Sequence, residues 1–426
     1  MATFKKMWKN VSLRRKILFT LMIFVVYRIG SYIPVPGINT AVLGATFNTT
    51  ALGFLDALSG GALTRFSLFA MSISPYINAS IIVQLMQMDV IPILSEWAKE
   101  GESGKRKLNQ LTRYMALVLA FIQSIPMAIG FNLMYNGILL QSHAIWVYLY
   151  IALVMTAGTA IMLFLADQIT SKGIGNGTSM IIVAAIISRI PHMMMELYDY
   201  YLTDISVTNV LAVVSIVAIL VLMVIAVIYL QSANRKLPIQ YANRHNSAQL
   251  SGRKDSFIPL KLNSAGVIPV IFAASLVSVP LTIVEFFPES GLTNALRAIF
   301  SNDQPIGFVV YVALIIAFTY FYAFVQVSPE KVAENLKKQG SYIPGVRPGV
   351  DTEEYLSKVL SRITFIGAIY LVVIACLPIL LGALTNLPAS IQIGGTSLLI
   401  VVGVAMETAK QIQTKTMDQK YKGFIK

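Results

Sequence analysis

The residue types best suited to catalysis are few and badly placed for it. Three histidines, His143, His192 and His245, fall in or near loops between apolar stretches, so they assemble neither an H-E-x-x-H metal pair nor a buried Ser-His pair. The single cysteine, Cys376, lies inside an apolar run, with no partner for an internal disulfide or a Cys-rich metal site. Gly173, Ile174, Gly175, Asn176 and Gly177 have the look of part of a phosphate loop, but no strand precedes them and they join two apolar stretches. That setting predicts a tight turn with close helix approach. Small residues at Gly394, Gly395, Thr396 and Ser397 likewise suit close packing at the head of the last stretch. Arg28, Asp167, Arg189, Glu285 and Glu407 sit near the ends of apolar stretches, and no acid stands at a centre, which argues against a coupled ion or proton carrier. The chain is therefore expected to be no enzyme and to use no cofactor and no metal.

The elements that carry these residues are set by hydropathy. Apolar residues make up 56% of the chain and charged residues 12%, with a mean hydropathy of +0.69, whereas a soluble domain carries about 25% charged residues. A helix needs about 20 apolar residues to cross the hydrocarbon layer. Such stretches centre near residues 25, 78, 124, 156, 186, 219, 276, 317, 374 and 399. They are continuous and rich in Leu, Ile and Ala, unlike the alternation over about 10 residues of a membrane barrel. Of the 33 Lys and Arg, all but Arg28, Arg65, Arg189 and Arg297 fall before the first stretch, after the last, or in alternate loops between. The positive-inside rule then predicts an all-α polytopic membrane protein of ten transmembrane helices with both termini cytoplasmic. Orientation and anionic lipid headgroups account for the net charge of +13 better than nucleic acid does, a ribosome surface excepted. Lys5, Lys6, Lys9, Arg14, Arg15 and Lys16 before the first stretch imitate a secretory signal, but no small-residue cleavage site follows, and the segment reads as a retained anchor. The cytoplasmic loops at 231–262 and 328–362 are long and charged, while the outward loop at 383–390 is short and uncharged, which predicts a large partner on the cytoplasmic side.

The second stretch is the odd one. Asp56, Ser59, Gly60, Gly61 and Arg65 interrupt residues 50–68, and Ser72, Ser74, Pro75, Asn78, Ser80 and Gln84 follow. Pro75 permits a helix to begin there, and Ser80 and Gln84, four apart, put polarity on one face. Non-helical backbone at membrane depth survives only inside protein or against a water-filled cavity, so this segment reads either as part of a pathway or as a kinked packing helix behind an outer hairpin.

Seven stretches together resemble the SecY family of protein-conducting channels. They are PVPG at 34–37, SPYINASIIVQL at 74–85, KEGESGKRK at 99–107, GIGNGTS at 173–179, PLKLNSAGVIP at 259–269, NLKKQGSYIPGVRPG at 335–349 and GGTSLLIVV at 394–402. The resemblance runs nearly end to end. It implies two inverted five-helix halves around a central pore, residues 1–205 with spans one to five and residues 206–426 with spans six to ten, the two large cytoplasmic loops and a cytoplasmic tail. It implies a plug at about 53–68, with Phe54, Leu55, Asp56, Leu58, Gly60, Gly61, Leu63 and Arg65, and a pore ring of Ile77, Ile81, Thr178, Ile182, Ile271 and Ile400. Thr178 stands where the family usually has a branched aliphatic residue.

The same resemblance places a lateral gate between spans two and three and spans seven and eight, with Ser80, Gln84 and Gln123 as its polar residues. Arg347 on the cytoplasmic side would contact a motor ATPase or a translating ribosome, with Arg244, Arg253, Lys254 and Lys261 as further contacts. Implied partners are the SecE and SecG membrane subunits, the SecA motor, the ribosome, secretory preproteins with signal sequences and membrane lipids, with no specific nucleic acid beyond ribosomal RNA. The expected function is passage of unfolded secretory polypeptides across the bacterial plasma membrane and sideways release of signal sequences and transmembrane segments into lipid. An inverted-repeat solute transporter is the alternative, since it too has broken helices and ten spans.

Overall fold

The computed structural model describes residues 10–39, 50–88, 91–135, 137, 139–140, 144–201, 207–241, 256–285, 290–301, 304–385 and 389–422, without the side chains of 50–52, 54, 208, 256, 283, 285, 381–396 and 415–422. Every one of the ten apolar centres falls inside a helix. In chain order the helices are α1 (Val11–Gly30), α2 (Thr50–Ser59), α3 (Ser74–Met86), α4 (Pro92–Lys99), α5 (Glu102–Met134), α6 (Ile145–Lys172) and α7 (Gly177–Tyr201). After them come α8 (Val207–Ser232), α9 (Ile268–Glu285), α10 (Gly291–Phe300), α11 (Pro305–Val327), α12 (Pro329–Lys338), α13 (Val350–Thr385) and α14 (Ala389–Lys422). The short helices α2, α4, α10 and α12 lie between the apolar ones.

Local chemistry sets the ends. Asn10 caps α1 by accepting from the amides of Ser12 and Leu13 at 3.1 and 3.4 Å. Pro305 and Pro329 open α11 and α12, where a missing N–H costs nothing, and Ser328 turns the chain between them at φ +40°. Among the described residues, six helices are long and apolar enough to cross a membrane. Helix α3 is too short to do so alone: its 13 residues span about 20 Å at 1.5 Å each, against about 30 Å of hydrocarbon. The rest of that crossing is a series of turns over residues 60–73, and it is buried in protein, as irregular backbone at that depth must be.

Helices α3, α5, α6 and α7 pack as successive neighbours, and so do α9, α11, α13 and α14. The two sets meet where α14 lies on α7 and where α9 lies on α3 and α5. Helices α5 and α13, with 33 and 36 residues, are about 50 Å long and outrun the hydrocarbon. The excess at the start of α13 joins a small second core of Leu237, Leu260, Leu336, Ile343, Leu356 and Ile363. Strands β1 (Asn234–Tyr241), β2 (Ser256–Lys261) and β3 (Ser341–Tyr342) form an antiparallel sheet in the order β2-β1-β3, with Leu237 opposite Ile258 and Tyr241 opposite Ser341. The two long cytoplasmic loops are thus one folded unit, an addition to the otherwise helical architecture.

The glycine run at 173–177 is the tight turn its setting predicts. Gly175 has φ +83°, and a Cβ on Gly177 would lie 1.7 Å from the Ala166 carbonyl oxygen on the preceding helix. Gly177→Ala would ordinarily favour a helix, but here backbone must move apart. A loss of about 1–3 kcal/mol is expected from such overpacking, read as a lower thermal unfolding midpoint in detergent.

Candidate functional site

Five isoleucines on four helices share one buried apolar cluster: Ile77 and Ile81 on α3, Ile182 on α7, Ile271 on α9 and Ile400 on α14. Each helix supplies them by its own spacing, Ile77 and Ile81 being one turn apart on one face. Thr178 precedes Ile182 by four residues on the same helix. It is half-buried at the start of α7, where its amide and hydroxyl donate to Asn176 Oδ1 at 3.2 and 2.9 Å, so it serves the helix end one turn short of Ile182.

On the cytoplasmic side of the cluster is a cavity of about 700 Å³. Ile182, Ile271 and Ile400 form its apolar end, while Gln231, Lys261, Asn263, Glu407 and Lys410 give it a polar wall. On the opposite side lie residues 53–68. Ala57, Leu58 and Ala62 belong to the same cluster as the isoleucines, whereas Leu63 and Phe66 enter a second apolar cluster that Leu55 packs against. Gly60 and Gly61, at φ +66° and +82°, end α2 and turn the chain into the bundle. The backbone of Phe54 lies in α2, and its side chain is outside the described residues. An apolar constriction between a polar cavity and a seated segment can exclude ions by dewetting while making only nonspecific contacts with whatever passes.

Asp56 and Arg65 are not simply wet. Asp56 is buried and paired with Arg189 of α7, and Arg65 stacks on the Tyr32 ring at 4.1 Å. Tyr27 and Arg28 of α1 also reach this segment, through the carbonyl oxygens of Ser59 and Gly60 at 2.7 and 3.0 Å. Sequence reasoning passed over these contacts; the one signal for them was that Arg28, Arg65 and Arg189 break the charge asymmetry.

Gln84 donates to Ser80 Oγ at 3.2 Å along α3. Gln123 of α5 lines a separate apolar crevice of about 100 Å³ with Leu55, Met71, Ser74, Val279 and Thr282, which Ser80 and Gln84 do not line. That crevice is the seam between α5 and α9. Asn78, Ser275 and Ser397, on α3, α9 and α14, add buried polar atoms without a partner among the described residues.

Arg347 is exposed on the turn between Ile343 and α13, flanked by Gly345 at φ +81° and Gly349 at φ +112°. Its carbonyl accepts from Thr352 Oγ1 at 2.7 Å, and Val346 N donates to Ile343 O at 3.1 Å. Lys261 closes β2 and is exposed beside the cavity. Arg244, Arg253 and Lys254 lie outside the described residues. No group of His, Cys, Asp and Glu able to hold a metal occurs among the described residues.

The SecY family profile matches residues 67–409. The protein translocase subunit SecY of Bacillus licheniformis is 49% identical over 417 residues, covering 97% of each chain. Among solved structures, one described as the structure of a protein conducting channel aligns with a TM-score of 0.68 at 15% identity, covering 94% of this chain and 92% of that one. Sec61 in the canine ribosome-channel complex from the endoplasmic reticulum aligns with a TM-score of 0.65 at 15% identity over the same shares. At that identity the two structures speak for the fold.

Proposed function

The chain belongs to the SecY family, and from that membership we propose how it works: an unfolded polypeptide passes from the cytoplasmic cavity through the isoleucine ring once residues 53–68 have moved aside. The protein is a multi-pass membrane protein and the channel subunit of a protein translocase. A solute transporter is not favoured, since the half-identical relatives are translocase subunits. The observation that carries the reading is the meeting of five isoleucines from four helices in one buried cluster, with a polar cavity on one side and the seated segment on the other.

The chemistry needed is non-covalent. A ring of aliphatic side chains offers no fixed hydrogen-bonding pattern, so it accepts any extended sequence and closes behind it. We read the chain as catalysing no reaction and drawing its energy from a cytoplasmic motor, a translating ribosome and the membrane potential. The halves at 1–205 and 206–426 would part like a clamshell, with α3 and α5 leaving α9 and α11. The apolar crevice at Gln123 supports that line of opening, and a signal sequence, with an apolar core of about 7–15 residues, would leave through it into the lipid of the plasma membrane. Ser80 and Gln84 would make the seam reversible, since hydrogen bonds between membrane helices contribute only about 0.6–2 kcal/mol each. SecE, SecG and SecA are proposed as partners on family membership alone. The ribosome is supported further by structural neighbours described as ribosome-bound channels.

A cysteine scan tests the route. With Cys376 replaced and single cysteines at 77, 81, 271 and 400, a secretory chain stalled during ATP-driven export should crosslink at all four positions and at no lipid-facing control such as Leu211. Active export without such crosslinks would rule the central path out.

A further inference from the structure

We infer that Arg189 and Arg28 are positioning residues that hold the plug to the first half of the molecule, so that parting the halves and releasing the plug are separate steps. The inference rests on the reading of residues 53–68 as a plug. Of the four arginines that break the charge asymmetry, Arg65 belongs to this segment and two others, Arg28 and Arg189, reach it from α1 and α7.

Arg189 Nη1 donates to Asp56 Oδ2, and the other carboxylate oxygen accepts from the Thr64 amide and hydroxyl at 3.0 and 2.7 Å. The Asp56 side chain is 3% exposed and that of Arg189 15%, so either charge left alone would be stranded away from water. Arg28 Nη1 donates to Gly60 O at 3.0 Å and to Ser188 Oγ at 3.1 Å, and its Nη2 donates to Tyr32 Oη at 2.9 Å. Tyr27 Oη donates to Ser59 O at 2.7 Å. Ser59 and Gly60 supply the last carbonyls of α2, which a helix leaves without internal partners and which its dipole makes attractive to a cation. The Tyr32 ring takes both the Arg28 and the Arg65 guanidinium groups, at 4.7 and 4.1 Å from its centroid.

These contacts are one-sided. Among the described residues, polar contacts reach the segment from outside it through α1, through α7, through Ser72, whose Oγ donates to Leu58 O at 3.0 Å, and through residues 33–35, where Val35 N donates to Phe66 O and Leu68 N to Ile33 O. All of these belong to the first half. Toward α9 and α14, in the second half, the segment offers Ala57, Leu58 and Ala62 in the shared apolar cluster. An apolar contact is non-directional and parts without stranding a polar group, whereas the Asp56–Arg189 pair cannot break without doing so. The second half can therefore withdraw first, while the plug stays docked on α1 and α7. Arg189 and Arg28 set the threshold for the later step.

Halide influx into dye-loaded proteoliposomes carrying the assembled channel measures the seal. Arg189→Gln and Asp56→Asn are each expected to raise influx about tenfold or more, as when a buried charge loses its partner, while Arg189→Lys, which keeps the charge, stays near the unsubstituted level. Deletion of residues 53–68 is the control for the plug reading. If deletion leaves influx unchanged, that reading fails; if deletion leaks but Arg189→Gln and Asp56→Asn do not, the positioning role alone is overturned. Arg189→Lys leaking as much as Arg189→Gln would make the effect one of packing, and failure of both Arg189→Gln and Asp56→Asn to assemble would place the pair in folding; either result overturns the proposal.

Discussion

Arg347→Glu abolishes ATP-driven export by inverted membrane vesicles while leaving the protein folded and inserted. Two separable features of the turn lead to this expectation. The backbone is fixed: Ile343 is buried in the cytoplasmic core, Thr352 Oγ1 holds the Arg347 carbonyl, and Gly345 and Gly349 take positive φ values that other residues resist. The side chain, by contrast, is exposed, so its removal leaves nothing unsatisfied within the chain and changes stability by less than about 0.5 kcal/mol. A guanidinium presented on a rigid base can grip a partner's carboxylate or phosphate with two parallel hydrogen bonds. Reversal to Glu removes those bonds and puts like charge against the partner's anion, a loss of about 2–5 kcal/mol, enough to prevent productive docking. Arg347→Lys should fall between, because an ammonium keeps the charge but not the fork. Export at the unsubstituted rate by the Glu variant would remove the turn from the partner interface.

That each of the ten apolar stretches holds a helix was legible because the cause is local: a long apolar run has no other stable place to be than a buried or membrane-spanning helix, and among the described residues six are long enough to cross on their own. The interruption of the second crossing was equally legible from Gly60, Gly61, Ser72 and Pro75, and it emerged as turns over 60–73 followed by the short helix α3. Elements that depend on distant pairing were not. The cytoplasmic sheet was hidden by Pro238 and Pro259, residues that argue against strands. Each nevertheless fits, because β2 is an edge strand and β1 meets β3 only at Gln240 and Tyr241, beyond Pro238. Thr178 could be aligned with a ring position, yet nothing in the spacing reveals that Asn176 ties up its hydroxyl at the helix start. Ser80 and Gln84 were readable as one polar face, but whether Gln123 meets them depends on how α3 and α5 cross, and the structure sets Gln123 against α9 instead. The outlying arginines carried the subtlest signal: cations on the other side of the charge asymmetry need partners, and only the folded chain shows that Asp56 and the Gly60 carbonyl take Arg189 and Arg28 while the Tyr32 ring takes Arg65.

Ile271→Ser combined with Ile400→Ser converts a sealed channel into a leaky one. Both isoleucines line the cavity and pack, with Ile182, in the cluster that also holds Ala57, Leu58 and Ala62 of the proposed plug. They come from α9 and α14, so on the proposed pore reading they would be the second half's share of the constriction, with Ile77, Ile81 and Ile182 that of the first. Shortening each side chain removes apolar contact from the join between the halves. Large-to-small changes at buried isoleucine typically cost about 2–5 kcal/mol, and here that loss falls largely on the closed arrangement, because the two faces have already separated in an open one. Since about 1.4 kcal/mol shifts an equilibrium tenfold, the open population should rise by at least that factor. The hydroxyls act in the same direction by holding water in a constriction that aliphatic side chains would dewet. Ion conductance across planar bilayers, measured without any exported chain, is expected to increase tenfold or more. Leu211→Ser, at an exposed site on α8, is the control and should conduct as the unsubstituted channel does. If the double variant stays as tight as that control, the isoleucines are ordinary bundle core and the seal lies elsewhere.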